Sequence, residues 1–215
     1  MDERNSKTLS LYVLEHLRRD IISSRYPPGT RLDQKLLAEE LGVSLIPVRE
    51  GLRQLEADGL IRIEPRRGVF VAQRSADELR EISLIREQLE GIATEIAAMH
   101  LQDQQIQQLD HILQDMVQAI DMQDMHRNLE LNCQFHFGIY EASGKPLLLR
   151  MINGLWERFR LYNHRDTFIA DAARKSFAEH EAILAACIAH DAGAARARMC
   201  DHIRRATDAI LAKIE

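Results

Sequence analysis

The chain has 215 residues, of which 46% are hydrophobic and 28% charged, a composition typical of a globular protein with a buried core. No apolar run approaches the roughly 18 residues of a membrane span, and the charged N-terminus lacks an apolar signal region. The three cysteines are scattered and odd in number, which argues against a disulfide framework and favours a reducing compartment. We therefore expect a cytoplasmic protein with no signal peptide and no membrane segment.

The net charge of −5 is distributed unevenly along the chain. Residues 1–72 carry 12 Lys and Arg against 11 Asp and Glu, whereas residues 73–215 carry 16 against 22. Phosphate contacts need local basic side chains rather than a basic total, so the overall acidity does not exclude nucleic-acid binding. A solvated surface would explain a basic run equally well, and the surrounding elements must decide. Eight of the twelve basic residues of the first part lie between residues 25 and 67: Arg25, Arg31, Lys35, Arg49, Arg53, Arg62, Arg66 and Arg67.

The first predicted elements are two helices joined by a turn. Apolar residues at a spacing of four predict a helix from about Leu9 to Ser23, and YPPGT ends it because two prolines and a glycine cannot continue a helix. Asp33 is predicted to N-cap a second helix, which Gly42 ends in a left-handed conformation. The residues expected to face inward from the second helix are Leu36, Leu37 and Leu41.

A third helix has the features of a DNA-reading element. Ser44 is its predicted N-cap, and Pro47 falls in the first turn, where the missing N–H costs nothing. Arg49 and Arg53 lie one turn apart on a face next to the buried stripe. A recognition helix has this apolar back and basic front, with its N-terminal turn toward the DNA. The buried stripe consists of Val48, Leu52 and Leu55, and Gly59 ends the helix.

A two-strand hairpin completes the predicted first domain. The segments LIRIE and VFVAQ alternate at period two on either side of PRRG. Arg66 and Arg67 at the tip are placed to contact a DNA backbone or a minor groove, where a glycine permits close approach. Helix, turn, helix and basic hairpin in this order predict a winged helix-turn-helix domain at residues 1–73. The residues expected to share one face of the hairpin are Ile61, Ile63, Val69 and Val71.

The strings PPGTRL, LAEELGVS, PVREGLRQLEADGLI and RRGVFV resemble the DNA-binding domain of GntR-type bacterial transcription regulators over about residues 9–72. The resemblance implies that the partner is double-stranded operator DNA. It implies DNA contacts by Lys35, Ser44, Arg49 and the wing around Arg67 and Gly68. The neighbouring basic residues Arg31, Arg53 and Arg66 join the candidate DNA-binding set.

One position departs from the family pattern. After the serine that opens the recognition helix, the family usually has a basic residue, often arginine, whereas this chain has Leu45 followed by Ile46. An arginine can form bidentate hydrogen bonds with guanine worth about 1–3 kcal/mol of discrimination, whereas leucine offers apolar contact, for example to a thymine methyl. We therefore expect Leu45 to contact DNA and the operator to differ from the family's common sequence.

Residues 76–215 are predicted to form an all-helical bundle, because they contain few glycines and a single proline and are rich in helix formers. Ser75 is a candidate N-cap after the polar junction QRSAD. The sequence thus predicts a mainly α fold, a winged helix-turn-helix followed by an all-α domain. The bundle helices are expected near 76–100, 103–122, 125–142, 146–163, 167–190 and 192–214.

Four side chains of the helical domain are candidates for one metal site. Asn132 and His136 are four apart and share a helix face. In an antiparallel helical hairpin His180 and His202 lie side by side if the turn falls at the midpoint, and Asp191–Gly193 provides breakers there. Three imidazoles and one oxygen ligand suit a divalent metal such as zinc or nickel. The alternative for any lone histidine is a surface or satisfied core residue, which we assign to His16, His100, His111, His126, His164 and His190.

The strings ISLIREQLEGIATEIAA, NCQFHFGIYEASGKP and EHEAILAACIAHDAGAARARMCDHI resemble the FCD domain of the FadR subfamily within GntR. The resemblance implies a metal held by Asn132, His136, His180 and His202, completed by a small carboxylate ligand. Asn132 replaces the common aspartate, which leaves the site one charge more positive. Arg86 matches a family arginine that faces the ligand, and an i,i+4 ion pair with Glu90 is the alternative. Cys133 is a rival ligand whose expected role is packing.

These features predict a homodimeric, ligand-responsive transcriptional repressor whose operator binding a small organic acid modulates. One alternative is a metal sensor in which the ion itself is the signal. A metal-dependent enzyme is another, because a histidine-bound metal can activate water. The enzyme is disfavoured because HExxH would need a second histidine where Leu184 stands, and no other catalytic motif occurs.

Overall fold

The structure is a computed structural model that describes residues 3–73, 75–160, 162 and 170–214. The described residues divide into two compact units. The first contains those up to Ser75 together with 157–160 and Tyr162, and the second contains Ala76–Trp156 and 170–214. Across these described ranges, no helix combines the length and apolar character needed to cross a bilayer.

The first unit has three helices and a small antiparallel sheet with strand order β1-β3-β2. The first helix begins about six residues earlier than the predicted start at Leu9. The short strand β1 was not predicted, because two residues carry no periodicity that a sequence could reveal. The elements are α1 (Glu3–Ile22), β1 (Arg31–Leu32), α2 (Gln34–Leu41), α3 (Leu45–Ala57), β2 (Ile61–Glu64) and β3 (Gly68–Val71).

The ends of α2 are those that the sequence predicts. The Asp33 side chain accepts hydrogen bonds from the backbone N–H groups of Lys35 and Leu36 at 2.8 and 3.3 Å. Gly42 ends the helix in the left-handed region, with φ of 65°. The expectation that Leu36 faces inward is wrong, since its side chain is 63% exposed. Leu37 is buried as expected and Leu41 packs against the core, and the buried stripe of this short helix continues through Ala38 rather than Leu36.

The hairpin pairs Ile61 with Val71 and Ile63 with Val69, as the alternation predicts. Ile61, Val69 and Val71 are buried, but Ile63 lies toward the turn and remains 36% exposed. The core of this unit also contains the predicted stripe of α3 and apolar residues of α1. Its largest fully buried members are Leu17, Leu52, Leu55 and Leu60.

The six helices described after residue 75 match the predicted bundle within about three residues wherever their ends are described. The predicted ends near residues 163 and 167 lie outside the described residues. Helix α4 packs along α9, and Gly91 permits their close approach, because a Cβ there would lie 2.8 Å from Cys200 Sγ. The helices are α4 (Ala76–His100), α5 (Asp103–Asp121), α6 (Met125–Ala142), α7 (Pro146–Arg160), α8 (Ala170–Ile188) and α9 (Ala192–Ile214).

Candidate DNA-binding surface and histidine cluster

The exposed face of α3 carries three of the candidate DNA-binding side chains. Ser44 occupies the N-cap position, but within the described part of the chain its hydroxyl makes no cap hydrogen bond. Arg49 and Arg53 are exposed one turn apart, and Arg49 Nε donates to Gln34 Oε1 at 3.2 Å. Lys35 is exposed on the preceding helix. This face therefore offers hydroxyl, guanidinium and ammonium donors, which are the groups that contact phosphates and base edges.

The two apolar residues at the start of α3 differ in exposure. Leu45 is half-buried and packs against the core of the first unit. Ile46 is 64% exposed. The sequence singled out Leu45 as the apolar contact to DNA and gave Ile46 no role. The exposure difference makes Ile46 the more accessible of the two to a base edge.

The wing places its basic residues around a strained turn. Arg66 has φ of 64° and Gly68 has φ of 124°, a value that favours glycine. Arg67 is exposed and stacks its guanidinium 6.0 Å from the Phe70 ring centroid. Arg31 on β1 approaches the wing, because a Cβ on Gly68 would lie 3.0 Å from Arg31 Nε. Arg31, Arg66 and Arg67 are all exposed.

The second unit brings His136, His180 and His202 together from α6, α8 and α9. One ring nitrogen from each lies within 4.8 Å of the others, and all three side chains are buried. His180 Nε2 is 3.1 Å from His136 Nε2. Two nitrogens bound to one ion at about 2.1 Å lie roughly 3.0–3.4 Å apart in octahedral or tetrahedral shells. The observed spacing therefore fits both a hydrogen bond and two ligands of one metal.

Two of the three histidines, His136 and His180, have the protonation that metal binding requires. Burial lowers the pKa of His136 well below the ordinary histidine value, and His180, His202 and Arg86 add to the effect. Burial and then His202 lower the pKa of His180 in the same direction. Both imidazoles are therefore neutral near pH 7, and each has one unprotonated nitrogen. The donor set fits a divalent first-row metal.

A buried polar chain leads away from His136. His136 Nδ1 lies 3.1 Å from the Tyr140 hydroxyl, which donates to Glu90. Arg86 pairs with the same carboxylate, at 2.6 Å from Nε to Oε1, and its guanidinium lies 4.8 Å from the Trp156 ring centroid. Burial, followed by Glu90, raises the pKa of Tyr140 well above its ordinary value, so the hydroxyl keeps its proton. The i,i+4 alternative for Arg86 is thus realised.

A second carboxylate holds His202. Glu179 Oε2 lies 2.8 Å from His202 Nδ1, and its other oxygen accepts a hydrogen bond from Arg205 at 2.8 Å. Glu179 also lines a surface groove of about 450 Å³ between α8 and α9, together with Lys175 and Arg198. The groove therefore reaches a direct neighbour of the histidine cluster.

The remaining candidates lie around the cluster or apart from it. Asn132 lies one turn before His136 and is half-buried, whereas Cys133 packs against the core and does not belong to the cluster. His100 is exposed, and His164 lies outside the described residues. Three of the other histidines contact a residue four positions away on their own helix: His16 contacts Asp20, His111 contacts Gln107 and His126 contacts Glu130. His190 Nδ1 lies 2.8 Å from the backbone oxygen of Ala98 on α4.

Sequence reasoning gave no role to Tyr140 and Glu179 beside the cluster. Two signals could have found them, since Tyr140 is one turn after His136 and Glu179 directly precedes His180. Their importance depends on contacts between helices, which spacing along one helix does not reveal.

Two family models match the chain. The model described as FCD domain matches residues 81–205, and the model described as bacterial regulatory proteins, gntR family, matches residues 9–71. The HTH-type transcriptional regulator McbR of Escherichia coli K12 is 34% identical over 151 residues, which cover 70% of this chain and 68% of McbR. The HTH-type transcriptional repressor RspR of the same organism is 36% identical over 120 residues, which cover 56% of this chain and 53% of RspR.

A solved structure shares the whole architecture. The structure of E. coli McbR/YncC aligns with a TM-score of 0.83 at 29% identity, covering 96% of this chain and 99% of that one. Both the winged domain and the helical domain are therefore common to the two proteins.

Proposed function

This chain belongs to the gntR family of bacterial regulatory proteins and carries an FCD domain, so it is a transcriptional regulator, and we propose that its histidine cluster controls operator binding. The cluster holds a divalent ion, zinc or nickel, through His136, His180 and His202, with Asn132 as the fourth protein ligand. Such an ion would supply open coordination positions for the oxygens of a small carboxylate effector. The observation that supports this proposal most is that ring nitrogens of three buried histidines, from three helices, lie within 4.8 Å of one another.

Arg86 is the proposed partner of the effector carboxylate. Its guanidinium already pairs with Glu90, so an effector must share or break that pair. Asn132 contributes no charge where a carboxylate would contribute one, which makes the site more favourable to an anion. These two features favour a small organic acid over a neutral ligand.

The operator-binding form is proposed to be a homodimer. Helix α4 has an exposed apolar stripe in which Ile85, Ile92 and Met99 recur every seven residues, with Leu84 beside it. A stripe of this spacing suits packing against the same helix of a second copy. Two recognition helices then contact successive major grooves of a pseudo-palindromic operator. Sedimentation tests this: the double variant Ile85→Glu, Ile92→Glu should be monomeric, and a dimer of unchanged stability would reject the stripe.

Repression is the proposed output. RspR, one relative, is named a repressor. If effector and DNA favour different conformations of the chain, each weakens the binding of the other by the same factor. Effector binding then releases the operator and allows transcription.

Metal content tests the site itself. Protein purified with zinc present should retain stoichiometric zinc after dialysis, and His180→Ala with His202→Ala should retain none by elemental analysis. The control is His111→Ala with His126→Ala, which removes two exposed histidines outside the cluster and should keep the zinc. Equal zinc in wild type and the His180, His202 variant would refute the assigned ligands.

A further inference from the structure

The three imidazoles of the cluster differ in what contacts their Nδ1 atoms. His202 Nδ1 lies 2.8 Å from the carboxylate of Glu179, which also accepts from Arg205. A carboxylate of this kind can only accept hydrogen bonds, so the proton of His202 is on Nδ1. In the neutral imidazole of His202, Nε2 then carries no proton.

His136 adopts the same Nδ1–H tautomer, but the carboxylate that sets it acts through Tyr140. The single hydroxyl hydrogen of Tyr140 is donated to Glu90, a carboxylate paired with Arg86. The Tyr140 oxygen can therefore only accept from His136 Nδ1, 3.1 Å away. His136 Nε2 is unprotonated as a result.

His180 is the contrasting member. Its Nδ1 is buried and has no hydrogen-bond partner among the described residues. Its Nε2 lies 3.1 Å from the unprotonated Nε2 of His136, so His180 donates through Nε2–H. The cluster thus contains two imidazoles of one tautomer and one of the other.

We infer that Glu179 directly, and Glu90 through Tyr140, are positioning residues that fix His202 and His136 in the Nδ1–H tautomer and turn two unprotonated Nε2 atoms toward the cluster. The other nitrogen of a metal-binding histidine commonly bonds to a carboxylate, and losing that partner typically lowers metal affinity about 10- to 100-fold. The link to metal affinity rests on the proposed function, whereas the tautomers are a property of the metal-free chain.

Nitrogen NMR of metal-free, histidine-labelled full-length protein tests the tautomers at a pH where the imidazoles are neutral. Wild type should show Nδ1–H for His136 and His202 and Nε2–H for His180. Glu179→Ala should reduce the Nδ1–H tautomer of His202 only, and Tyr140→Phe that of His136 only, because each substitution removes the acceptor of one Nδ1–H group. Glu181→Ala is the matched control, an exposed glutamate two residues along the same helix. Unchanged tautomers in Glu179→Ala and Tyr140→Phe would overturn the inference.

Zinc affinity, measured by competition with a chelator, gives the second readout. Glu179→Ala and Tyr140→Phe should each bind zinc about 10- to 100-fold more weakly than wild type and Glu181→Ala. Glu179→Gln, which keeps an acceptor oxygen, should recover part of the loss. Equal affinity in wild type and Glu179→Ala would overturn the positioning role. If wild type binds no zinc at all, the proposed metal site fails, and the tautomer measurement still decides the inference.

Discussion

His180 on α8 and His202 on α9 have ring centroids 4.5 Å apart, although a helix end, a turn and a new helix separate them in the chain. The turn between the helices falls near Asp191, midway between the two histidines. Antiparallel helices joined there bring residues equidistant from the turn level with each other. This pairing supplies two of the three imidazoles of the histidine cluster.

Arg49→Ala is expected to weaken operator binding about 10- to 100-fold, because the variant loses a guanidinium on the exposed face of α3. Binding should be measured at matched salt on an operator selected from a random-sequence duplex pool. Arg19→Ala removes the same charge from an exposed position on α1 and serves as control. Equal losses in the two variants would show that only net charge matters and would reject a specific role for Arg49.

Ile46 is expected to read thymine methyl groups, because it is 64% exposed at the start of α3. Replacing individual operator thymines by uracil removes only the methyl, and at the contacted position it should lower wild-type affinity. Ile46→Ala should bind thymine and uracil operators equally. Leu11→Ala, an exposed apolar residue of α1, should keep the wild-type preference. If uracil lowers the affinity of Ile46→Ala as much as that of wild type, another residue, for example Leu45, contacts the thymine methyl.

Removing one partner of the buried Arg86–Glu90 ion pair is expected to destabilise the protein. Arg86→Met leaves the Glu90 carboxylate without its cation in a site with no solvent exposure, which should cost about 3–5 kcal/mol in the free energy of unfolding. Adding Glu90→Gln removes the charge and keeps an acceptor for Tyr140, so the double variant should regain at least half of the loss. Urea unfolding measures both. A double variant no more stable than Arg86→Met would contradict this explanation.

The side chain of Cys200 is expected to be the reason that residue 91 must be glycine. Alanine favours a helix interior by about 1 kcal/mol over glycine, but a Cβ at residue 91 would lie 2.8 Å from Cys200 Sγ. Overpacking of this kind costs about 1–3 kcal/mol, so Gly91→Ala should be neutral to destabilising in the wild-type chain. In a Cys200→Ala background the same change should become at least about 1 kcal/mol more favourable. Identical effects in both backgrounds would contradict the contact.

The elements that the sequence predicted best are those with strong local signals. The cap at Asp33, the left-handed Gly42 and the stripe of Val48, Leu52 and Leu55 each depend on neighbours along the chain, and the structure confirms them. The bundle helices followed from the scarcity of glycine and proline. The strand β1 was missed, because its pairing with β3 is a contact distant in sequence.

The side chains around the histidines required the tertiary structure. The spacing of His180 and His202 predicted their meeting, but it gave no reason to connect Tyr140 with Glu90. Leu36 was placed inward on apolar character alone, although a short helix can bury only part of its circumference. For Arg86 the sequence left two roles open, and only packing could select the pair with Glu90.

The most direct test of the central claim is operator affinity measured by fluorescence anisotropy, first with zinc alone and then with a panel of small carboxylic acids at saturating zinc. We predict that at least one acid weakens operator binding by wild type, and that the variant with His180→Ala and His202→Ala loses this response but still binds the operator. If zinc or its chelation changes the affinity and no acid does, the ion itself is the signal. If acids act equally on wild type and on the histidine variant, the histidine cluster is not the effector site.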